Sequence, residues 1–215
     1  MNNRPGKQLL LNFPSHPEYD FSNFVVSEGS RIAFETAKEF CSENPAPYQA
    51  LYIFGQKNLG KTHLLLSIGN RAAERELRAV CIQGHDFVDK LGGDPSPEAQ
   101  QTLKQLLNVD FFLMDNVESL TKSPTAQEKL YHIYNQMMEK GGKLAFTASL
   151  PPDRNSAMES YLTSRFQWGM VAEIKPIDDS TTAKIILKLA KDINLTIPES
   201  IIHFLLSRIA RDFIS

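Results

Sequence analysis

Eight consecutive residues, from Gly55 to Thr62, match the complete pattern of a phosphate-binding loop, Gly-x-x-x-x-Gly-Lys-Thr. Glycines let a backbone fold around an anion without a clash from Cβ atoms, and successive N–H groups at a helix start attract the negative charge. The ammonium of Lys61 would pair with the outer phosphates, and the Thr62 hydroxyl would bind Mg²⁺. The loop therefore predicts that ATP or ADP, with Mg²⁺, is bound by Gly55, Asn58, Leu59, Gly60, Lys61, Thr62 and the adjoining His63.

The surroundings of the loop strengthen this prediction. The loop follows the apolar run Leu51–Phe54 and precedes a helical pattern that begins at Lys61, which is the order that a phosphate-binding loop requires. From average residue usage, a chance match in a chain of this length has a probability on the order of one in a hundred. A purely structural turn is the alternative, and the flanking strand and helix make it the weaker one.

A carboxylate stands at the end of another apolar run. Asp115 closes the strand predicted at Val109–Met114, and an acid in this place downstream of a phosphate-binding loop is the usual second contact to Mg²⁺. Asn116 comes next, and since an amide holds water but is a poor base, hydrolysis should be slow. Glu118 is a possible substitute, although an exposed loop acid is the expected role for it.

The elements that would position these groups alternate along the chain. A helical pattern from Ile32 to Cys41 comes first, and further helices are predicted at Lys61–Glu76, Glu98–Leu107 and Ala126–Lys140. Alternating strands and helices favour a parallel sheet covered on both faces. The predicted strands are Ala50–Phe54, Ala79–Gln83, Val109–Met114, Leu144–Thr147 and Met170–Ile174.

The chain divides into three parts. Residues 1–18 contain three prolines and are predicted to form an extended tail, and residues 19–175 form the α/β nucleotide-binding base. Residues 176–215 contain two predicted helices, Ser180–Ile193 and Pro198–Arg211. They would form a partial helical lid beside the three-layer base.

Composition excludes some functions. The net charge is −2 with a sequence pI near 6.2, so no general basic field is available to hold nucleic acid. No apolar run approaches the ~20 residues of a membrane span. Two cysteines, Cys41 and Cys81, lie far apart in apolar contexts, as reduced thiols of a cytoplasmic protein would. We therefore expect a cytoplasmic protein without membrane partners.

Three segments resemble one known family: Asp20–Val26, Leu59–Leu65 and Ser164–Gly169, the last reading Ser-Arg-Phe-Gln-Trp-Gly. They are similar to the AAA+ domain of the bacterial replication initiator DnaA and of its shorter homologue Hda, which regulates DnaA. The resemblance covers about residues 19–211 and implies a P-loop AAA+ fold. The run Asp-Asn-Val-Glu at 115–118 looks more like Hda than like DnaA, which carries two aspartates there.

The resemblance also implies roles for individual residues. Phe24, Val25 and Val26 would line the adenine pocket, and Ser149 would occupy the sensor 1 position of the catalytic site beside Asp115 and Asn116. The Asn at 116 replaces the acid that orients water in hydrolytic AAA+ proteins. The alternatives are that Phe24 and Val25 are simple core and that Ser149 is a strand-end hydroxyl.

Arg165 would be the arginine finger that reaches the nucleotide of a neighbouring subunit, because its planar fork suits phosphate charge. A surface arginine is the alternative, and Trp168 is expected to be core. This sequence departs from the family pattern at the sensor 2 arginine. Alignment places Ile214 near its position, so the arginine is missing or Arg211 serves instead.

The tail contains Gln-Leu-Leu-Leu-Asn-Phe at 8–13, which resembles the short motif that binds the DNA polymerase sliding clamp. Gln8, Leu9, Leu11 and Phe13 would then dock as an extended peptide. The alternatives are an edge strand or an N-terminal apolar clasp on the domain.

These observations predict an Hda-like regulator that docks on the sliding clamp and stimulates ATP hydrolysis by DnaA, with at most weak hydrolysis of its own. A homo-oligomer is possible, and direct DNA binding by this chain is not expected. The alternatives are a DnaA fragment without its DNA-binding domain, and an independent P-loop ATPase. No second catalytic constellation, such as His-x-x-x-His or Cys-x-x-Cys, supports the last of these.

Overall fold

The computed structural model describes residues 10–13, 19–42, 46–176 and 178–209. Strands and helices alternate through most of this length, as the sequence predicts. The strands are β1 (Leu10–Asn12), β2 (Ala50–Phe54), β3 (Ala79–Gln83), β4 (Phe111–Asp115), β5 (Lys143–Ala148) and β6 (Met170–Glu173). The helices are α1 (Arg31–Phe40), α2 (Lys61–Glu74), α3 (Gly84–Leu91), α4 (Pro97–Leu107), α5 (Pro124–Glu139), α6 (Ser160–Trp168), α7 (Asp179–Asp192) and α8 (Glu199–Ile209).

The strands form one sheet in the order β1-β3-β4-β5-β2-β6. All neighbouring pairs among β3, β4, β5, β2 and β6 are parallel, and β1 pairs with the edge of β3 in the antiparallel direction. The predicted α/β class with a parallel sheet is therefore confirmed. Parallel strands end at the same edge, so the segments that follow β2, β4 and β5 meet there.

Two apolar layers cover the two faces of the sheet, which makes the predicted three-layer base. Helices α1 and α2 pack on one face, where Phe111 and Leu113 of β4 point. Helices α3, α4, α5 and α6 pack on the other face, against Phe112 and Met114. Every side chain of β4 is buried, as expected for a strand in the middle of a covered sheet.

Polar side chains fix the starts of three helices. Ser96 accepts a hydrogen bond from the Ala99 amide before α4, and Ser123 accepts one from the Ala126 amide before α5. A proline follows each serine at the first helical position, where its missing N–H costs nothing. Asp178 caps α7 by accepting from the Thr181 amide. These local signals explain why the helix starts follow from sequence alone.

Two helices of the base, α3 and α6, were not predicted from the sequence. Helix α3 is eight residues long and follows β3 without a turn, so its pattern merges with that of the strand. Its first residue, Gly84, lies so close to the chain after β4 that an added Cβ would come within 2.2 Å of the Asn116 carbonyl oxygen. That approach connects distant segments, so local periodicity cannot show it.

Helices α7 and α8 occupy the region predicted as a partial lid, and they pack against each other. Several apolar side chains on these helices and in the segment between them remain exposed: Leu187, Leu189, Ile193, Leu195, Ile201 and Phe204. The division of the chain into tail, base and lid remains a prediction. No helix within the described ranges is both long enough and apolar enough to span a bilayer.

Candidate functional site

The phosphate-binding loop lies at the carboxyl edge of the sheet, between β2 and α2. Gly55 packs so tightly that a Cβ there would come within 2.3 Å of the Ile174 carbonyl oxygen. Gly60 has φ of 89°, and a Cβ on it would lie 2.7 Å from the Phe24 ring. Asn58 also adopts a left-handed conformation, with φ of 63°. Both glycines of the motif are therefore required by the local geometry, as the sequence pattern implies.

Lys61 is buried at the base of this loop. Its Nζ donates to the carbonyl oxygens of Gly55, at 2.7 Å, and Gln56, at 2.6 Å. Burial lowers the pKa of the ammonium, and the negative charges of Glu118 and Asp115 oppose that change. The ammonium is thus held beside the loop by main-chain acceptors, which an anionic phosphate would outcompete.

Asp115 connects the loop to the middle of the sheet. The Thr62 hydroxyl donates to its Oδ2 at 2.8 Å, and Gln83 Nε2 donates to the same oxygen at 3.0 Å. The Thr147 hydroxyl donates to Oδ1. The carboxylate is only 2% exposed, so these donors compensate for its burial. The structure therefore brings Thr62 and Asp115 together, as predicted.

This pair fits a bound Mg²⁺. In a typical magnesium site the protein contributes only one or two ligands, such as a hydroxyl and a carboxylate. Water and substrate phosphates supply the other ligands. Among the described residues, no group of three or more His, Cys, Asp or Glu side chains could enclose a metal without such help. When bound with nucleotide, the ion would neutralise phosphate charge at Thr62 and Asp115.

Asn116 and Gln83 form a polar pair at the mouth of the cleft. Asn116 has φ of 57°, and its backbone N–H donates to the Thr147 hydroxyl at 2.9 Å. Its side-chain Nδ2 donates to Gln83 Oε1 at 3.1 Å. Sequence analysis missed Gln83, although it ends β3 as Asp115 ends β4, in the same register. The cleft has a volume of about 550 Å³ and is lined by Lys57, Asn58, Gly60, Lys61, Thr62 and Asn116.

Ser149 lies just past β5, where the sensor 1 group is predicted, and it holds a second acid. Its backbone N–H donates to Glu118 Oε1 at 3.1 Å, and its hydroxyl donates to the same oxygen at 2.6 Å. The expectation that Glu118 is an exposed loop acid is wrong. The 3₁₀ turn Val117–Lys122 folds this side chain back over the ends of the strands, where Ser149 is available as a donor.

The predicted adenine-binding segment lies against the loop. The Phe24 ring stacks on Phe34 at 5.6 Å between centroids and meets His63 edge-on at 5.3 Å. His63 Nε2 lies 3.0 Å from the Asp20 carbonyl oxygen. Phe24, Val25 and Val26 are half-buried, so they leave a partly open apolar surface. Contact with adenine remains a prediction, and Phe24 also serves as core.

Arg165 lies in α6, at the opposite edge of the sheet from the phosphate-binding loop. It shares a cleft with residues that precede and begin β2, including Gln49 and Ala50. The loop follows the other end of β2, and five residues at ~3.3 Å each separate the two edges by about 16 Å. Arg165 is therefore too far away to reach a nucleotide in its own loop, and contact with a neighbour's nucleotide remains a prediction.

Aromatic rings hold the Arg165 guanidinium in place. Its Cζ lies 4.5 Å from the Trp168 ring centroid and 5.5 Å from that of Tyr131. The expectation that Trp168 is core is wrong, because this side chain is 75% exposed. Its helix ends at the sheet edge, where β2 begins, and the indole stays outside to stack on the arginine.

The predicted tail contacts are placed only in part. Gln8 and Leu9 lie outside the described residues, and so do Arg211 and Ile214 of the sensor 2 question. Leu11 belongs to β1, and Phe13 lies across α2, with ring atoms 2.2–2.5 Å from where a Gly69 Cβ would stand. This segment forms the edge strand that was the alternative to a free tail. Clamp binding remains a prediction.

Comparison with known proteins gives consistent results. The family model described as the bacterial DnaA ATPase domain matches residues 15–173. The initiator protein DnaA of Thermotoga petrophila is 33% identical over 204 residues, which are 92% of this chain and 46% of that protein. DnaA of Helicobacter pylori strain J99 is 29% identical over 193 residues, covering 89% of this chain and 42% of that protein. The chain thus spans about half the length of the curated relatives it matches.

Solved structures agree with the sequence matches. Domain III of Thermotoga maritima DnaA superposes with a TM-score of 0.80 at 33% identity, covering 90% of this chain and 82% of that chain. AMPPCP-bound DnaA from Aquifex aeolicus gives 0.79 at 30% identity, covering 89% and 60%. A DnaA bound to AMPPCP and single-stranded DNA gives 0.78 at 29%, with the same coverage. Similar folds therefore bind a nucleotide analogue.

Proposed function

This chain belongs to the bacterial DnaA ATPase domain family, and we propose that it is a nucleotide-controlled assembly module of chromosome replication initiation. One observation carries the proposal: the phosphate-binding loop and Arg165 lie at opposite edges of one sheet. A nucleotide site at one edge can then be completed only by Arg165 of another subunit. Such a division of the site makes assembly depend on the nucleotide.

The test is association in solution. We expect the chain to form larger assemblies with ATP or AMPPCP than with ADP, because the third phosphate offers the charge that Arg165 would pair with. Sedimentation velocity with each nucleotide measures this directly. Identical sedimentation with ATP, with ADP and without nucleotide, at concentrations that saturate binding, would count against the proposal.

The DnaA-type initiator is the candidate with the broader support. The curated relatives are initiators, and they match 88–92% of this chain at 28–33% identity. One similar structure is of DnaA with single-stranded DNA, so the expectation that this chain does not bind DNA finds no support. In this candidate the domain assembles with ATP and contacts single-stranded DNA as part of initiation.

The Hda-like regulator is the second candidate, and the run Asp115-Asn116-Val117-Glu118 favours it. An asparagine after the Mg²⁺-binding aspartate suits a protein that controls hydrolysis by a partner more than it suits a fast ATPase. The two candidates differ in their effect on purified DnaA loaded with ATP. A regulator accelerates that hydrolysis in the presence of the sliding clamp, whereas an initiator domain assembles with DNA and gives no clamp-dependent acceleration.

Clamp binding by the N-terminal segment has its own test. Replacing Gln8, Leu11 and Phe13 with alanine together should abolish binding to immobilised clamp and leave ATP affinity unchanged, since burial of each apolar anchor contributes roughly 1.5–3 kcal/mol. Ile32→Ala removes a 72% exposed apolar side chain elsewhere and should change neither quantity. Surface plasmon resonance and calorimetry provide the two measurements.

The same variant also reports on the edge strand. Because β1 pairs with β3 and Phe13 packs on α2, a structural clasp predicts a lower melting temperature for the triple variant. A large fall in melting temperature with clamp binding retained would show that the segment is only a clasp. Loss of clamp binding at a nearly constant melting temperature would support docking.

A further inference from the structure

Glu118, the last residue of the run Asp115–Glu118, holds an unusual position for an acid. Its Oε1 accepts two hydrogen bonds, from the backbone N–H and from the hydroxyl of Ser149. These two donors fix the carboxylate between the ends of β4 and β5. The side chain is therefore rigidly placed, as a group that acts on a substrate must be.

The other oxygen, Oε2, is buried and has no hydrogen-bond partner among the described residues. A buried carboxylate oxygen without a donor is costly, and natural proteins keep such a group where a ligand or a catalytic role requires it. Its partner is thus expected to arrive from outside the chain. A water molecule, either from solvent or held beside the bound nucleotide, would supply the missing donor.

Contacts connect this oxygen to the phosphate-binding loop. The Gly55 N–H donates to the Ala148 carbonyl at 3.2 Å, which places the start of the loop beside Ser149. Lys61 in turn donates to the Gly55 carbonyl. Consistent with this proximity, the negative charge of Glu118 raises the pKa of the Lys61 ammonium, against the larger effect of burial. Glu118, held by Ser149, therefore lies close to the start of the loop that would bind the phosphates.

The neighbouring side chains cannot serve as the acceptor in place of Glu118. Both oxygens of Asp115 already accept hydrogen bonds, from Thr62 and Gln83 on one side and from Thr147 on the other. Asn116 is an amide, and its Nδ2 donates to Gln83. Glu118 is left as the carboxylate at this edge with a free acceptor oxygen.

We propose that Glu118 accepts a proton from the water that attacks bound ATP, with Ser149 as its positioning residue. The water oxygen forms a bond to the γ-phosphorus, and the bond from that phosphorus to the β,γ-bridging oxygen breaks, so that its electron pair leaves with ADP. The water proton passes to Glu118 Oε2 and is afterwards released to solvent. This inference rests on the proposed nucleotide-dependent function and assigns the acid that position 116 lacks.

Glu118→Gln is the decisive variant. A glutamine oxygen can still accept from Ser149, whereas the amide nitrogen that replaces Oε2 cannot accept a proton. We expect single-turnover hydrolysis of ATP to fall by a factor on the order of 10², as for loss of a general base. ATP affinity should stay within twofold. Glu98→Gln, at an exposed position in α4, is the matched control.

The outcomes distinguish failure of this inference from failure of the proposed function. If the wild type does not bind ATP, both fail. If Glu118→Gln binds ATP and hydrolyses it at the wild-type rate, the inference fails and the proposed function stands. A fall in ATP affinity or in the melting temperature of the nucleotide-free variant would assign Glu118 a structural role. Ser149→Ala should lower turnover partially, and Ser149→Thr, which keeps the hydroxyl, should restore it.

Discussion

Lys61→Ala is expected to weaken ATP or ADP binding by tenfold or more. The ammonium is the charged donor at the base of the loop, and a charge-assisted hydrogen bond contributes about 1.5–3 kcal/mol, which corresponds to roughly 10–150-fold in affinity. Isothermal titration calorimetry with ATP and with ADP measures the effect. The loss should be larger for ATP, because the lysine pairs with the outermost phosphates.

Lys57→Ala is the matched comparison within the same loop. Lys57 lines the cleft but is exposed, so solvent screens its charge and its removal should reduce affinity much less. Loss of Lys61 should also leave the fold intact, since its bonds to the Gly55 and Gln56 carbonyls span only the loop itself. Equal affinity of wild type and Lys61→Ala, with both proteins folded, would remove the loop from the site.

Arg165→Ala is expected to reduce hydrolysis in the assembled state by about 10³-fold or more, which is the usual contribution of an arginine finger. Nucleotide affinity of the single chain should change little, because Arg165 and its own loop lie at opposite edges of the sheet. The measurement is ATP turnover when the variant is mixed with its partner, either a second copy of the chain or ATP-loaded DnaA.

Two further variants sharpen this test. Arg165→Lys keeps the charge but loses the planar fork that pairs with two phosphate oxygens, so it should recover only a small part of the rate. Arg78→Ala removes an arginine whose side chain is 59% exposed, just before β3, and should leave turnover in the assembly unchanged. Normal stimulation by Arg165→Ala would show that Arg165 is a surface residue.

The sequence alone determined the parts of this protein that obey local rules. The boundaries of β2 and β3 agree with prediction, and the starts of α4 and α5 lie within two residues of it. The phosphate-binding loop was identified completely, because its glycines, its lysine and its threonine act within eight residues. Asp115 followed from the loop, since parallel strands bring their carboxyl ends to one edge.

Tertiary structure decided what depends on distant segments. The pairing of Glu118 with Ser149 joins residues 31 positions apart, and Gln83 reaches Asp115 across neighbouring strands. The sequence did not decide whether residues 8–13 form a docking peptide or the edge strand β1, because a six-residue apolar motif suits both equally well.

The burial of individual side chains was also beyond the sequence. Trp168 is exposed and Glu118 is folded inward, the reverse of what residue type suggests, because Trp168 ends α6 beside the start of β2 and Glu118 lies in the turn that follows β4. Residue type gives the average cost of burial, whereas the available partner decides the outcome. For Trp168 that partner is the Arg165 guanidinium, and for Glu118 it is the pair of donors on Ser149.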